Sequence, residues 1–352
     1  ILLNKIMSSQ NLSIIIVTGG AGYIGSHTII ELLTKTNFQV VSIDNFSNST
    51  PAAYKRIKDI TNKSFESINI DICDEEKLFS ELLKIKNIAG IIHFAAYKSV
   101  PESVAQPLLY YRNNLNSLNN LLKFSLENKI KNFIFSSSCS VYGNANTLPV
   151  TEEAPLKAAE SPYGHTKRVG EEIINFVCKV NSDFNVVLLR YFNPVGAHPS
   201  GRIGEFPLNR PNNLVPIITQ TAVGKNSLTV FGNDFDTRDG SCIRDYIHVS
   251  DIANAHVKAL NYLIDEKNKK NVSLFNLGTG NGVSVLEAIK SFEKVSGKKL
   301  KYTIGPRRAG DVVAIYANNN LAKTELNWNP EYSLDDMMLS AWKWQENLEA
   351  EK

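Results

Sequence analysis

Thr18-Gly19-Gly20-Ala21-Gly22-Tyr23-Ile24-Gly25 is the stretch whose reading decides the fold. It follows the β-branched run Ile14–Val17 directly and opens an amphipathic segment from Tyr23 to about Leu33, so Gly19, Gly22 and Gly25 stand where a strand turns into a helix. Glycine permits the tight turn, lets backbone approach a pyrophosphate, and lets the helix pack on the strand; the helix N-terminus then aims N–H groups and positive dipole at phosphate. Three glycines alone identify only a turn. The next apolar run, Val40–Ile43, ends at Asp44, about 20 residues past the glycines, where a carboxylate accepts hydrogen bonds from an adenosine ribose. Its charge repels a 2′-phosphate and the next residue is Asn45 rather than an arginine, which favours NAD over NADP.

Outward from this turn the rhythm of short apolar run, turn and amphipathic helix repeats to Tyr191. Strands are predicted at Ile14–Val17, Val40–Ile43, Ser67–Ile70, Gly90–Phe94, Phe133–Ser136 and Val186–Leu189. Each is too apolar for a half-exposed hairpin, and enough chain separates each pair for a crossover helix, the pattern of an α/β, doubly wound parallel sheet (Rossmann). After Tyr191 come Pro- and Gly-rich stretches, Asn193–Gly204 and Phe206–Pro216, which predict a smaller mixed α/β unit. The expected division is therefore 12–191 for the dinucleotide and 192–352 mainly for substrate. Segments around 234–280, including Tyr246–His248 and Leu274–Gly278, are expected as further strands able to return to the first sheet. With no flexible linker, the two parts should pack together and leave a cleft.

Composition narrows the function. The chain has 352 residues, 43% of them hydrophobic, enough for a substantial core. Lys and Arg number 38 against 35 Asp and Glu with no basic stripe, so no nucleic-acid partner is expected, and Lys267, Lys269 and Lys270 read as a solvated loop. Cys73, Cys139, Cys178 and Cys242 show neither Cys-x-x-Cys nor metal-ligand spacing; they read as reduced thiols in a cytoplasmic protein with no metal. No membrane span or secretory signal is expected. Ile1 to Ser13 precede the first strand and read as an extension or expression remnant, with Met7 a candidate start.

Tyr163-Gly164-His165-Thr166-Lys167 follows Ser161-Pro162, a helix start, and runs into an apolar-periodic helix to about Val180. A spacing of four puts Tyr163 and Lys167 on one face. A phenol of pKa about 10 is a poor base near neutrality. One positive charge at ~4 Å in an effective dielectric near 20 is worth about 4 kcal/mol, about 3 pKa units. Lysine and an oxidised nicotinamide together therefore bring a tyrosinate within reach, and both charges are needed. Ser136-Ser137-Ser138 closes the fifth strand, at the sheet edge that faces ligand, where Ser138 can donate to the reacting oxygen or relay its proton. A non-enzymatic NAD-binding protein of this fold has no need of Ser138, Tyr163 and Lys167 together. A hydrolase's nucleophile elbow is missing, and Gly224-Lys225-Asn226 lacks the Ser or Thr that ends a phosphate loop.

These residues resemble the extended short-chain dehydrogenase/reductases, and within them the UDP-galactose 4-epimerases, along nearly the whole chain from Thr18 to Trp344. The matching stretches include Gly19–His27, Asp44-Asn45 with Asn48-Ser49, His93-Phe94-Ala95-Ala96 with Lys98, Tyr110–Asn114, Phe135–Gly143, Ser161–Lys167, Pro211–Pro216, Arg244–His248 and Arg307–Asp311. Arg190-Tyr191-Phe192-Asn193-Pro194, running on to Gly196-Ala197-His198-Pro199, is the stretch most particular to the epimerases. The resemblance implies an NAD site of Gly19, Gly22, Tyr23, Ile24, Gly25, Asp44, Asn45, Asn48, Ser49, Asp71, Ile72, Phe94, Ala95, Lys98, Asn113 and Ser136, with Tyr163, Lys167 and Phe192 at its inner end. It implies catalysis by Ser138, Tyr163 and Lys167. It further implies that Phe192, Asn193, Asn213, Leu214, Phe231, Arg244, Tyr246, Arg308, Asp311 and Ile315, with Ser138 and Tyr163, hold UDP-glucose or UDP-galactose, in a homodimer. For Arg308 the residues alone leave diphosphate binding and a surface ion pair both open. Two departures bear on specificity. Relatives that dehydrate a sugar nucleotide carry an Asp-Glu pair after the serine, where this chain has Cys139 and Ser140. Ile315 falls where the family places a tyrosine to block an N-acetyl group or a smaller residue to admit it, so UDP-N-acetylhexosamines stand as the alternative substrates.

Overall fold

The computed structural model describes residues 13–308 and 311–351, so the leading segment and its candidate start lie outside the described residues. Six parallel strands arise from the runs anticipated above: β1 Ile14–Thr18, β2 Gln39–Ile43, β3 Glu66–Ile68, β4 Ile88–His93, β5 Asn132–Ser138 and β6 Asn185–Tyr191. A seventh, Val272–Leu277, joins the edge, giving the order seventh, β6, β5, β4, β1, β2, β3. Every neighbouring pair is parallel. Chain order reverses between β1 and β4, so the crevice at their carboxyl ends is the place where such sheets bind ligand.

Both faces of the sheet are dry, which explains why the strands read as continuous apolar runs. On one face Ile15, Val17, Ile92, Ile134 and Val187 pack under helix α1, Tyr23–Lys35, and helix Val249–Ile264. On the other, Ile16, Ile91, Phe133, Phe135 and Leu188 pack under helices Pro107–Glu127 and Pro162–Val180. The later segments split. Leu274 to Leu277 does return to this sheet beside β6. Tyr246–His248 does not, because both edges of β6 are already occupied by β5 and the seventh strand. It pairs instead with Asn193–Val195, the chain just past the end of β6.

Beyond residue 192 a separate apolar cluster forms from Val195, Val215, Ile218, Val230, Tyr246, Phe292, Met338 and Trp342. Ile243–Arg244 lies there between Val283–Ser284 and Ala314–Ile315. The following residue, Asp245, is fully buried and ties these pieces together: it accepts from Thr279 N at 2.8 Å, Thr279 Oγ1 at 2.6 Å, Gly280 N at 3.1 Å and Ala317 N at 3.0 Å. Arg244 is thereby carried on a braced strand. Among the described residues, no helix is long and apolar enough to cross a membrane.

Candidate active site

The turn between β1 and α1 leaves no room for side chains. Gly19 has φ +71°, and a Cβ on it would lie 2.7 Å from Ala95 N; on Gly25 it would lie 2.3 Å from Gly19 O. Gly22, the N-cap of α1, offers no side chain to the first N–H groups of the helix. A cradle that any Cβ would fill, ending in uncapped N–H groups, fits a dinucleotide pyrophosphate. Asp44 is braced for its position. It accepts from Ala21 N at 2.9 Å, Phe46 N at 2.9 Å and Ser49 Oγ at 2.8 Å.

Other expected residues of this site fall at the same sheet edge. Tyr23 donates from its hydroxyl to Gly196 O at 2.6 Å, joining the glycine turn to the stretch after β6. Phe94 lies against the His256 ring at 4.6 Å, and Lys98 pairs with Glu205 at 3.0 Å. Asn113 donates to Asn114 Oδ1 at 3.0 Å. Asp71 is exposed and accepts from Cys73 N, whereas Ile72 is buried in the apolar layer and Ile24 packs against the opposite one. Asn45 and Asn48 are exposed.

Ser161 caps helix Pro162–Val180 by accepting from Gly164 N, and Pro162 fills its first turn. The helix can lie close to β5 because Gly170 has no side chain: a Cβ there would stand 2.9 Å from Phe135. Lys167 is consequently buried, donating to Ser136 O at 2.6 Å with its ammonium 5.0 Å from the Phe135 ring. Burial pulls its pKa down to about 8 against the opposing charge of Glu171. Tyr163, one turn earlier, moves the other way. Burial pushes its phenol up to about 12, with nearby Ser138 opposing the rise. In the chain alone, desolvation of the phenolate is the largest influence on it. Ser138 is held at the end of β5, where its hydroxyl accepts from Ser140 N at 3.2 Å and Ser140 Oγ at 3.0 Å.

The two arginines gather around Asp311. Arg244 donates to Val312 O at 2.7 Å and reaches Asp311 at 3.4 Å, while Arg308 meets both oxygens of Asp311 at 3.0 Å. The ion pair and the ligand site left open for Arg308 are thus compatible: one carboxylate holds two guanidiniums together, and the local balance stays positive. Arg308 also lies 4.9 Å from the Phe231 ring, which is exposed. Asn193 and Tyr246 sit on the paired segments beyond β6, and Asn213 with Leu214 begins the helix Leu214–Ala222. Phe192 and Ile315 are buried in one cluster with Tyr142, Val150 and Ala317.

Sequence reasoning missed the group beneath helix Pro162–Val180. Glu171 accepts from Ser137 Oγ at 2.5 Å and from Arg190 Nε and Nη2 at 2.8 and 2.5 Å, with both charged side chains only 5% exposed. Arg190 Nη1 finds no hydrogen-bond acceptor, and the guanidinium lies 4.7 Å from the Tyr142 ring. Glu171 stands four residues past Lys167, so the helical period was the available signal. Its partner on β6 was not legible from spacing.

Residues 16–340 match the family model described as GDP-mannose 4,6 dehydratase. The UDP-glucose 4-epimerase of Bacillus subtilis is 48% identical over 332 residues, which cover 94% of this chain and 96% of that protein. The chain belongs to the UDP-glucose 4-epimerases of the extended short-chain dehydrogenase/reductase family. Two solved structures carry the likeness into three dimensions. The UDP-glucose 4-epimerase from Bifidobacterium longum in complex with NAD⁺ and UDP matches with TM-score 0.90 at 46% identity, covering 95% of this chain and 98% of that one. That from Stenotrophomonas maltophila, with bound NAD and formylated UDP-arabinopyranose, matches with TM-score 0.93 at 41% identity over 97% and 100%. The epimerase assignment agrees with the residues after Ser138. Burial pushes the Cys139 thiol up to about 12, and Ser140 is committed to Ser138, so the acid and base that dehydration requires are not there.

Glu171→Gln leaves the buried Arg190 charge without its counterion. The expected outcome in urea-monitored unfolding is a loss of about 3–5 kcal/mol, and a loss no larger than that of a surface substitution would contradict the role given to this pair.

Proposed function

We propose that the chain interconverts UDP-galactose and UDP-glucose at C4 through a 4-keto sugar, with NAD as resident cofactor. One observation carries this reading: Ser138 closes β5 on the carboxyl edge where the glycine cradle lies, and Tyr163 stands one turn before buried Lys167 on the helix tied to that strand through Ser136 O. Gly19, Gly22, Gly25, the start of α1 and Asp44 hold the dinucleotide. Bound there, NAD supplies a hydride acceptor that gives back what it takes, and a positive charge on its oxidised ring. Tyr163 takes the C4 hydroxyl proton, directly or through Ser138, and later returns it. Left to the chain alone the phenol stays protonated, near 12. A neighbouring positive charge worth about 3 pKa units, with the Lys167 ammonium beneath, draws it toward neutrality.

Arg244 and Arg308 supply directed charge-assisted bonds for the diphosphate, with Asn193, Asn213, Leu214, Phe231 and Tyr246 around the nucleotide. Remote binding energy fixes the intermediate without gripping the hexose, which must turn over between the two hydride transfers. Residues 12–191 serve the dinucleotide and 192–352 mainly the sugar nucleotide, with Val249 to Leu277 packed back on the first sheet. Leu108 and Val104, 81% and 61% exposed, and Phe176 and Val180, 68% and 82% exposed, support a homodimer through the helices that carry them. Four free thiols support a cytoplasmic setting.

Purified protein is expected to convert UDP-galactose to UDP-glucose without added NAD, and Tyr163→Phe to lower turnover by about 10²–10⁴ while NAD content and melting temperature hold. Full turnover in that variant would remove Tyr163 as the base. Ile315 packs with Phe192, so Ile315→Tyr narrows the sugar pocket there. Activity on UDP-N-acetylglucosamine, assayed beside UDP-galactose, should fall further than the galactose reaction; equal losses would sink the gate.

A further inference from the structure

Glu205 has no part in the reading so far, yet its Oε1 accepts from two of the residues that do: Lys98 Nζ at 3.0 Å and Asn213 Nδ2 at 2.8 Å. Lys98 belongs to the dinucleotide side, with its ammonium 5.8 Å from the ring of Tyr23 at the start of α1. Asn213 belongs to the sugar-nucleotide side. The Glu205 side chain is 13% exposed against 50% for Lys98, so the carboxylate is the fixed member of the pair. Its backbone is fixed too. Trp344 Nε1 donates to Glu205 O at 2.9 Å, and Ala197 bridges to Gly204 just before it. That approach is close, since a Cβ on Gly204 would lie 2.6 Å from Trp344.

The state of Asn213 is a second, independent observation. Asparagine at an N-cap ordinarily accepts from an N–H of its own first turn. Asn213 is the N-cap of Leu214–Ala222 and makes no such bond. Its amide is turned to Glu205, and the start of the helix has no side-chain acceptor from its cap, an arrangement that favours an anion nearby.

We propose that Glu205 is a positioning residue that sets Lys98 and Asn213 through one shared oxygen, and so couples the two sides of the crevice. The inference rests on the epimerase reading above. Without the carboxylate the Asn213 amide is free to rotate back and cap its own helix, and the Lys98 ammonium is released to solvent. Because one oxygen serves both donors, a shift in either is felt by the other.

The test compares the unmodified protein with E205A, E205Q, N213A and E205A/N213A, reading kcat and KM for UDP-galactose and the NAD retained after gel filtration. E205A should raise KM about tenfold, the value of one well-placed hydrogen bond, with kcat changed much less, and should shed NAD several-fold faster. E205Q keeps an oxygen for Asn213 and loses the charge that holds Lys98, so it should restore KM but not NAD retention. E205A/N213A should be no worse in KM than N213A alone. Multiplicative losses in the double variant, or E205A within twofold of the unmodified protein in both readouts, would overturn the assignment while leaving the epimerase reading intact. An unmodified protein that fails to interconvert the two sugars would overturn that reading and this one with it.

Discussion

Lys167 keeps its ammonium where water does not reach, with a single backbone carbonyl, Ser136 O, as its hydrogen-bond partner. Burying a charge on one neutral acceptor is costly, and the fold offsets it one turn further along the helix, where Glu171 opposes the desolvation that pulls the lysine down. Glu171 is in turn neutralised by Arg190 from β6 and anchored by Ser137 from β5. The stack from Lys167 through Glu171 to Arg190 therefore fixes the helix against two strands at once. It stands only because Gly170 lets helix and sheet approach, so a missing side chain and a buried ion pair serve the same end.

The chemistry follows from that dryness. Burial that lowers the lysine to about 8 still leaves it an ammonium at neutral pH, while burial raises the phenol of Tyr163 and keeps it protonated in the chain alone. In the proposed mechanism, an oxidised ring held beside Tyr163 would lower its phenol more than the same charge would in water, because low effective dielectric strengthens charges in the crevice, and a neutral, reduced ring would not. Away from the phenol, two guanidiniums, Arg244 and Arg308, gather around the single carboxylate of Asp311.

Local features were legible in the sequence and long-range partnerships were not. The glycine turn, Asp44 and the Tyr163 to Lys167 spacing each lie within one element or at one junction, where period and turn chemistry speak directly. Strand centres were read to within two residues; β1, β5 and β6 run on by one or two residues, as with β5 reaching Ser138, while β3 and β4 start and end earlier than read. Tyr246–His248 misled because a segment of three residues does not say which edge is open. Arg190 was quoted as part of a stretch without a role, since its partner Glu171 lies on the preceding helix and only packing joins them. Glu205 is the extreme case: its two donors stand 107 and 8 residues away, and no single-chain pattern connects them. The upward shift of the Tyr163 phenol escaped for the same reason, because spacing shows which charges are near but not how much water is excluded.

The dependence of the Tyr163 proton on the charge beside it is the claim most directly open to measurement. Ultraviolet absorbance of tyrosinate, titrated in protein loaded with oxidised NAD and in protein stripped of it, with Tyr163→Phe as the blank, isolates this one phenol. The account predicts a Tyr163-dependent step near neutrality in the loaded protein and only in strong alkali in the stripped one. Identical midpoints in the two, or no step that vanishes with Tyr163, would contradict it.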